Sequence, residues 1–157
     1  MKRETKKEIP SAKDHVFAVI TAKFHEDITK KLHLACMNCL KNANAKSVIE
    51  VFVPGAFELP LVSQWVGQTH AVDAIIALGC VIQGETPHFD YVCAESAKGL
   101  CQVSLHLNKP VIFGVLTTHN IEQALARCGE NTENKGLEAA ITAIEMAILQ
   151  KKIKQLD

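Results

Sequence analysis

DAIIALGCVIQGETPHFD, residues 73–90, decides how the rest of the chain is read. Asp73 to Cys80 is an almost continuous apolar run, short and rich in hydrocarbon, as expected of a strand buried on both faces. A glycine-flanked loop follows over Val81–Glu85. Thr86 then stands where an N-cap would and Pro87 where a first helical residue would, and the helical pattern runs from there to about Leu107. A buried strand passing through a short loop into a helix is half of a crossover unit, and the same unit recurs on both sides.

Upstream, HVFAVIT (15–21) is a first buried strand, and Glu26–Leu40 follows with Ile28, Leu32, Ala35, Cys36 and Cys39 at helical spacing. SVIEVFV (47–53) is a second strand, broken by Pro54-Gly55. Ala56–Gly67 reads as a helix that tolerates Pro60 in its first turn. Downstream, PVIFGVL (110–116) is a fourth strand, Ile121–Arg127 a short helix and Lys135–Gln150 a periodic closing helix. Strict alternation of strand and helix implies an α/β fold, with a four-stranded parallel sheet between two layers of helices. Residues 1–14 are polar, contain Pro10 and read as a tail; residues 15–157 suit one domain.

The bulk numbers exclude several classes. Lysine plus arginine equals aspartate plus glutamate at 17 each, so no net field draws the chain to nucleic acid or to an anionic membrane. No apolar run reaches a membrane-spanning length, and Met1–Ser11 lacks the core of a secretory signal, so a cytoplasmic protein is expected. Cysteines at 36, 39, 80, 93, 101 and 128 are then expected as free thiols. Cys36 and Cys39 form a C-x-x-C with His33 one turn before. A redox pair normally opens a helix and this one lies mid-helix, with no second pair to complete a zinc set, so it reads as a buried face. His15, His33, His70, His106 and His119 show no ligand spacing, and no metal is expected. Phosphate-loop, dinucleotide and hydrolase-elbow patterns are all missing.

In such a fold, ligands bind beyond the carboxyl ends of the strands. After the first strand comes Phe24, an aromatic that either reaches this crevice or packs on its own helix. After the second come Gly55, which permits a close approach or a positive φ, then Ala56, Phe57 and Glu58. After the third, Thr86 and the free N–H groups of a helix start offer an anion site, and His88 lies in the first turn, where the positive helix end favours a neutral imidazole able to shuttle protons. Phe113 falls within the fourth strand, where a core aromatic is the stronger reading. Arg127 has the fork to grip a phosphate, although a surface arginine alone says little.

Taken together, these landmarks resemble the lumazine synthase family, from about His15 to about Leu149. They are Val53–Pro60 (VPGAFELP), Gly79–Val92 (GCVIQGETPHFDYV), Phe113–Thr118 (FGVLTT), Asn134-Lys135-Gly136, Glu138-Ala139-Ala140 and Ala143–Met146. The resemblance implies a flavodoxin-like three-layer fold and the condensation of 5-amino-6-(D-ribitylamino)uracil with 3,4-dihydroxy-2-butanone 4-phosphate, without a cofactor. It implies that Phe24 stacks on the pyrimidine and that Ala56, Phe57, Glu58, Phe113 and the backbone of Cys80, Val81 and Ile82 line the same pocket. Glu85 and Thr86 would form the phosphate nest, and His88 would move protons. Arg127 would grip phosphate from a neighbouring subunit, with Lys135 and Glu138 as nearby charges. The partners implied are small-molecule substrates and further copies of the chain: a pentamer, with decamers or sixty-subunit shells in some members, and a tail strand lent to a neighbour's sheet. The chain departs from the family at Lys23 and His25, at Gln83 where arginine is usual, and over Glu130–Glu133, which is more acidic. A binding-only or shell-forming homologue is the alternative; it would be expected to lose His88 or Arg127 while keeping the aromatic residues.

Overall fold

The structure, a computed structural model, describes residues 8–156. Its elements alternate as expected: β1 (Val16–Ala22), α1 (Glu26–Asn42), β2 (Ser47–Val53), a 3-10 turn (Ala56–Glu58), α2 (Leu59–Thr69), β3 (Ala74–Ile82), α3 (His88–Leu107), β4 (Val111–Thr118), α4 (Ile121–Leu125) and α5 (Lys135–Lys154). The four strands form one parallel sheet in the order β2-β1-β3-β4. Strand alternation divides the core in two. Phe17, Val19, Ile76 and Leu78 face α1 and α5, where Leu32, Cys36, Ala140 and Ile144 meet them. Ala18, Ile20, Ile75 and Ala77 face α2 and α3, against Leu59, Val66 and Leu100. Burial on both faces is why these strands read as hydrocarbon rather than as an alternating pattern.

The differences from the expected boundaries have local causes. Val81 and Ile82, expected in a loop, extend β3, because they pair with Thr117 and Thr118 and so lengthen β4 as well. The segment after Gly55 begins as a 3-10 turn, and α2 starts only at Leu59, with Pro60 inside its first turn. The helix after Thr86 begins one residue later than expected, at His88; the Thr86 hydroxyl accepts from the His88 N–H at 3.4 Å, a long bond for a cap. The expected tail falls partly on residues 1–7, outside the described residues. Its described part makes no strand, and Ala12 is tied to the end of α1 by its N–H to the Ala43 carbonyl at 2.7 Å. No helix among the described residues is long and apolar enough to cross a membrane.

The closest helix contact is between α1 and α5. Asn134 caps α5, accepting from the N–H groups of Gly136 at 2.8 Å and Leu137 at 3.4 Å. At Gly136 an added Cβ would lie 2.0 Å from the Leu32 carbonyl oxygen and 2.8 Å from Leu32 Cα, so only glycine lets the two backbones approach. Gly136→Ala is therefore expected to lower the unfolding free energy by about 2 kcal/mol or more, as overpacking against backbone does. Urea midpoints would measure it. Gly84→Ala is the control: an added Cβ there meets nothing within 4 Å, and stability should hold or rise slightly.

Candidate active site

The strand order brings the ends of β2, β1 and β3 side by side, and backbone bonds carry the pairing past them. The Lys23 N–H donates to the Val53 carbonyl at 2.8 Å and the Phe24 N–H to the Pro54 carbonyl at 3.1 Å. Phe24 is thus fixed next to the segment that carries Ala56, Phe57 and Glu58. The 3-10 turn of that segment packs in turn on β3 and α3. Phe24 and Phe57 are both more than half exposed, with no core to fill, whereas Ala56 is buried. Gly55 is extended (φ −148°) rather than at positive φ; an added Cβ would come 3.2 Å from a carboxylate oxygen of the exposed Glu58 side chain, which can move aside, so neither the backbone nor the packing demands glycine here.

Beyond β3, Gln83, Gly84, Glu85, Thr86, Pro87 and His88 are all exposed and lead into the first turn of α3. Cys80 belongs to the core beneath, its side chain buried among those facing α1 and α5, so only its backbone can face a ligand. Val81 and Ile82 are half-buried and turn to opposite cores. The sheet ends therefore carry two flat aromatic faces, a carboxylate and a helix start with an imidazole on its first residue.

Phe113, Arg127 and Lys135 lie elsewhere, along the open edge of β4. They line a groove of about 490 Å³ between that strand and α5, together with Glu138 and Thr142. Phe113 is 44% exposed, so the core role expected of a phenylalanine inside a strand does not hold. The Arg127 Nη1 donates to the Gln123 carbonyl at 2.8 Å, and Lys135 Nζ donates to Glu138 Oε2 at 2.6 Å. The residues singled out from the sequence thus form two clusters, one at the strand ends and one on the β4 edge.

His33 and the C-x-x-C are accounted for separately. His33 is spent on other partners: Thr21 Oγ1 lies 2.8 Å from Nδ1 and Glu50 Oε2 lies 2.8 Å from Nε2, with the Phe52 ring alongside. Among the described residues no three metal-ligating side chains gather. Cys36 and Cys39 are buried, and burial pushes both thiols up, Cys39 to about 11.

This is a parallel α/β protein whose strand ends present exposed aromatic groups and a helix start, with further charged groups on an open sheet edge. A sequence profile described as 6,7-dimethyl-8-ribityllumazine synthase matches residues 14–151. The 6,7-dimethyl-8-ribityllumazine synthase of Cytophaga hutchinsonii is 50% identical over 141 residues, spanning 88% of this chain and 89% of that protein. The chain belongs to the 6,7-dimethyl-8-ribityllumazine synthase family.

The buried thiols give a pH dependence. Cys39 and Cys80 are each raised from 9.0 to about 11, so both stay neutral in the native state while the unfolded chain ionises them above 9.0. Their contribution to stability is complete below pH 9 and is lost as pH rises toward 11. The urea midpoint should fall between pH 8 and pH 10, and fall by less in Cys39→Ala. An equal fall in both proteins would count against the thiol as the cause.

Proposed function

We propose that the chain condenses 5-amino-6-(D-ribitylamino)uracil with 3,4-dihydroxy-2-butanone 4-phosphate to give 6,7-dimethyl-8-ribityllumazine, releasing phosphate and water, as the penultimate step of riboflavin biosynthesis. The observation that carries this reading is the stitching of Phe24 to Pro54 on the sheet rim where the adjacent strand β3 leads into the loop that bears Thr86 and His88. It sets a stacking face for a pyrimidine next to a helix start suited to a phosphate. Phe24 stacks on the ring, while Ala56, Phe57 and Glu58 receive the ring and its ribityl chain against the backbone of Cys80, Val81 and Ile82. Glu85 and Thr86 hold the sugar phosphate through the loop.

The chemistry asks little of the protein beyond placement. The uracil's amine attacks the ketone carbon and water leaves as the imine forms. Loss of a proton from carbon then drives out phosphate. The enol left behind tautomerises to a ketone, and the second nitrogen closes the ring on that new carbonyl with loss of a second water. Holding both reactants in one pocket supplies much of the acceleration. His88 takes and returns the protons, a contribution of about 10²–10⁴-fold.

The site is completed by a second copy of the chain. Phe113 and Arg127 lie on the β4 edge, away from the strand-end cluster, and serve the pocket of the next subunit, with Lys135 and Glu138 beside them. The same side of α5 continues the apolar surface through Met146, Leu149 and Ile153, all more than two-fifths exposed. Copies joined head to tail in this way close into a ring, a homopentamer, to which residues 1–14 add a strand on the neighbour's sheet. Decamers or sixty-subunit shells are the larger assemblies open to it. The protein works in the cytoplasm, with no cofactor.

Mixing purified protein with both substrates should yield lumazine absorbance and one phosphate per turnover; no product at high enzyme concentration would sink the reading. His88→Ala should lower kcat by about 10²-fold with KM little changed. Arg127→Ala should raise KM for the sugar phosphate, and undiminished phosphate affinity in that variant would remove Arg127 from its role. A stronger test of the shared site is complementation. His88→Ala and Arg127→Ala subunits, unfolded together and refolded as mixed rings, should regain about a quarter of wild-type activity, since half the pockets have an intact His88 and half of those an intact neighbouring Arg127. A site contained in one chain would regain nothing.

A further inference from the structure

Gln83 and His119 stand 36 positions apart, and nothing in either segment marks them as a pair. The fold joins them. Gln83 is the residue before Gly84-Glu85-Thr86, and its backbone N–H donates to the Thr118 carbonyl at 2.9 Å, one step beyond the last β3–β4 pair. That bond sets His119 opposite it, and His119 Nδ1 meets the Gln83 side-chain oxygen. The main chain of His119 is anchored as well, because its backbone N–H donates to Gln123 Oε1 of α4 at 2.9 Å. Its ring also faces Phe89, the second residue of α3, at 6.3 Å between centroids. His119 therefore touches both ends of the segment that carries Thr86 and His88.

That segment has little else to hold it. Residues 83–88 are all exposed, and Gly84 has open space around it. The bond between Nδ1 and the amide oxygen also settles the chemistry of both side chains. Nδ1 carries the proton and donates it, and the Gln83 oxygen accepts. The amide nitrogen of Gln83 is thereby left with two N–H donors and no protein partner among the described residues. An oriented neutral amide so placed, just before a run of backbone N–H groups, can bind an anion without bringing a charge.

We propose that His119 is a positioning residue for the phosphate of the sugar substrate. It acts through Gln83, fixing the loop from Gln83 to Thr86 and presenting the amide N–H groups to the anion where the family usually has an arginine. The proposal rests on the function given above. It predicts an effect on the phosphate-bearing substrate alone, since Phe24 and residues 56–58 are anchored independently through Val53 and Pro54.

The test titrates inorganic phosphate into the intact oligomer of wild type, His119→Ala, His119→Asn and Gln83→Leu, and measures rates with each substrate varied. Asparagine can offer an N–H near the position of Nδ1; alanine cannot. His119→Ala and Gln83→Leu should each weaken phosphate binding and raise KM for the sugar phosphate about tenfold, the size of one well-placed hydrogen bond. KM for the uracil and the melting temperature should hold, and His119→Asn should stay within about threefold of wild type. The double variant should be no worse than either single one, since both break one link. Unchanged phosphate affinity in His119→Ala would overturn the proposal, as would equal losses in both His119 variants with both KM values raised. If wild type itself makes no lumazine, the function falls, while the phosphate titrations still decide whether His119 and Gln83 shape an anion site.

Discussion

The parallel hydrogen-bond ladder is what every other feature depends on. In a parallel sheet all strands point one way, so their carboxyl ends, and the loops that follow them, share one rim. Here the ladder does not stop at the last strand residue. Lys23 and Phe24 go on bonding to Val53 and Pro54, and Gln83 goes on bonding to Thr118. Three loops are thereby held in register by the same interaction that holds the core, and each carries a residue of the proposed site. A loop tied by its backbone keeps an exposed aromatic or imidazole in place without burying it, which leaves those side chains available to a substrate.

The layers beneath supply rigidity without chemistry. Buried thiols at positions 36, 39 and 80 stay protonated and behave as small apolar groups. Gly136 lets α5 settle onto α1 at backbone contact, and Asn134 closes the start of that helix in the same turn. Lys135 and Glu138 of the β4 edge are thus borne on a helix whose spacing from α1 is set by one missing methyl group.

Much of this was legible in the sequence because its signals are local. Strands buried on both faces show themselves as hydrocarbon runs, and β2 falls on the residues expected. The helix starts at Asn120 and Asn134 follow from side chains that bond a few residues on. The chemistry of the strand ends was partly legible for the same reason: Gly79–His88 is one short stretch. What escaped depends on register between distant segments. No pattern links Gln83 to His119, or Thr21 to His33 and Glu50, since each pairing exists only once strands and helices are aligned. The extension of β3 through Val81 and Ile82 escaped likewise, because it is the partner residues Thr117 and Thr118 that make those positions strand. Phe113 illustrates the converse: a phenylalanine inside a strand is ordinarily core, and only the position of β4 at the sheet edge leaves it half exposed.

The open side of β4 has a consequence for the life of the newly made chain. An eight-residue strand offering one unpaired row of N–H and C=O groups is a template for any extended peptide that reaches it. A net charge of zero provides no long-range repulsion to keep such encounters rare. In the ring proposed above, a freshly folded chain would therefore meet either a second copy at this edge or some other extended segment. The outcome is set by subunit concentration and by time rather than by the stability of the fold. For such a ring, slow synthesis or dilution would be as damaging as a cavity in the core.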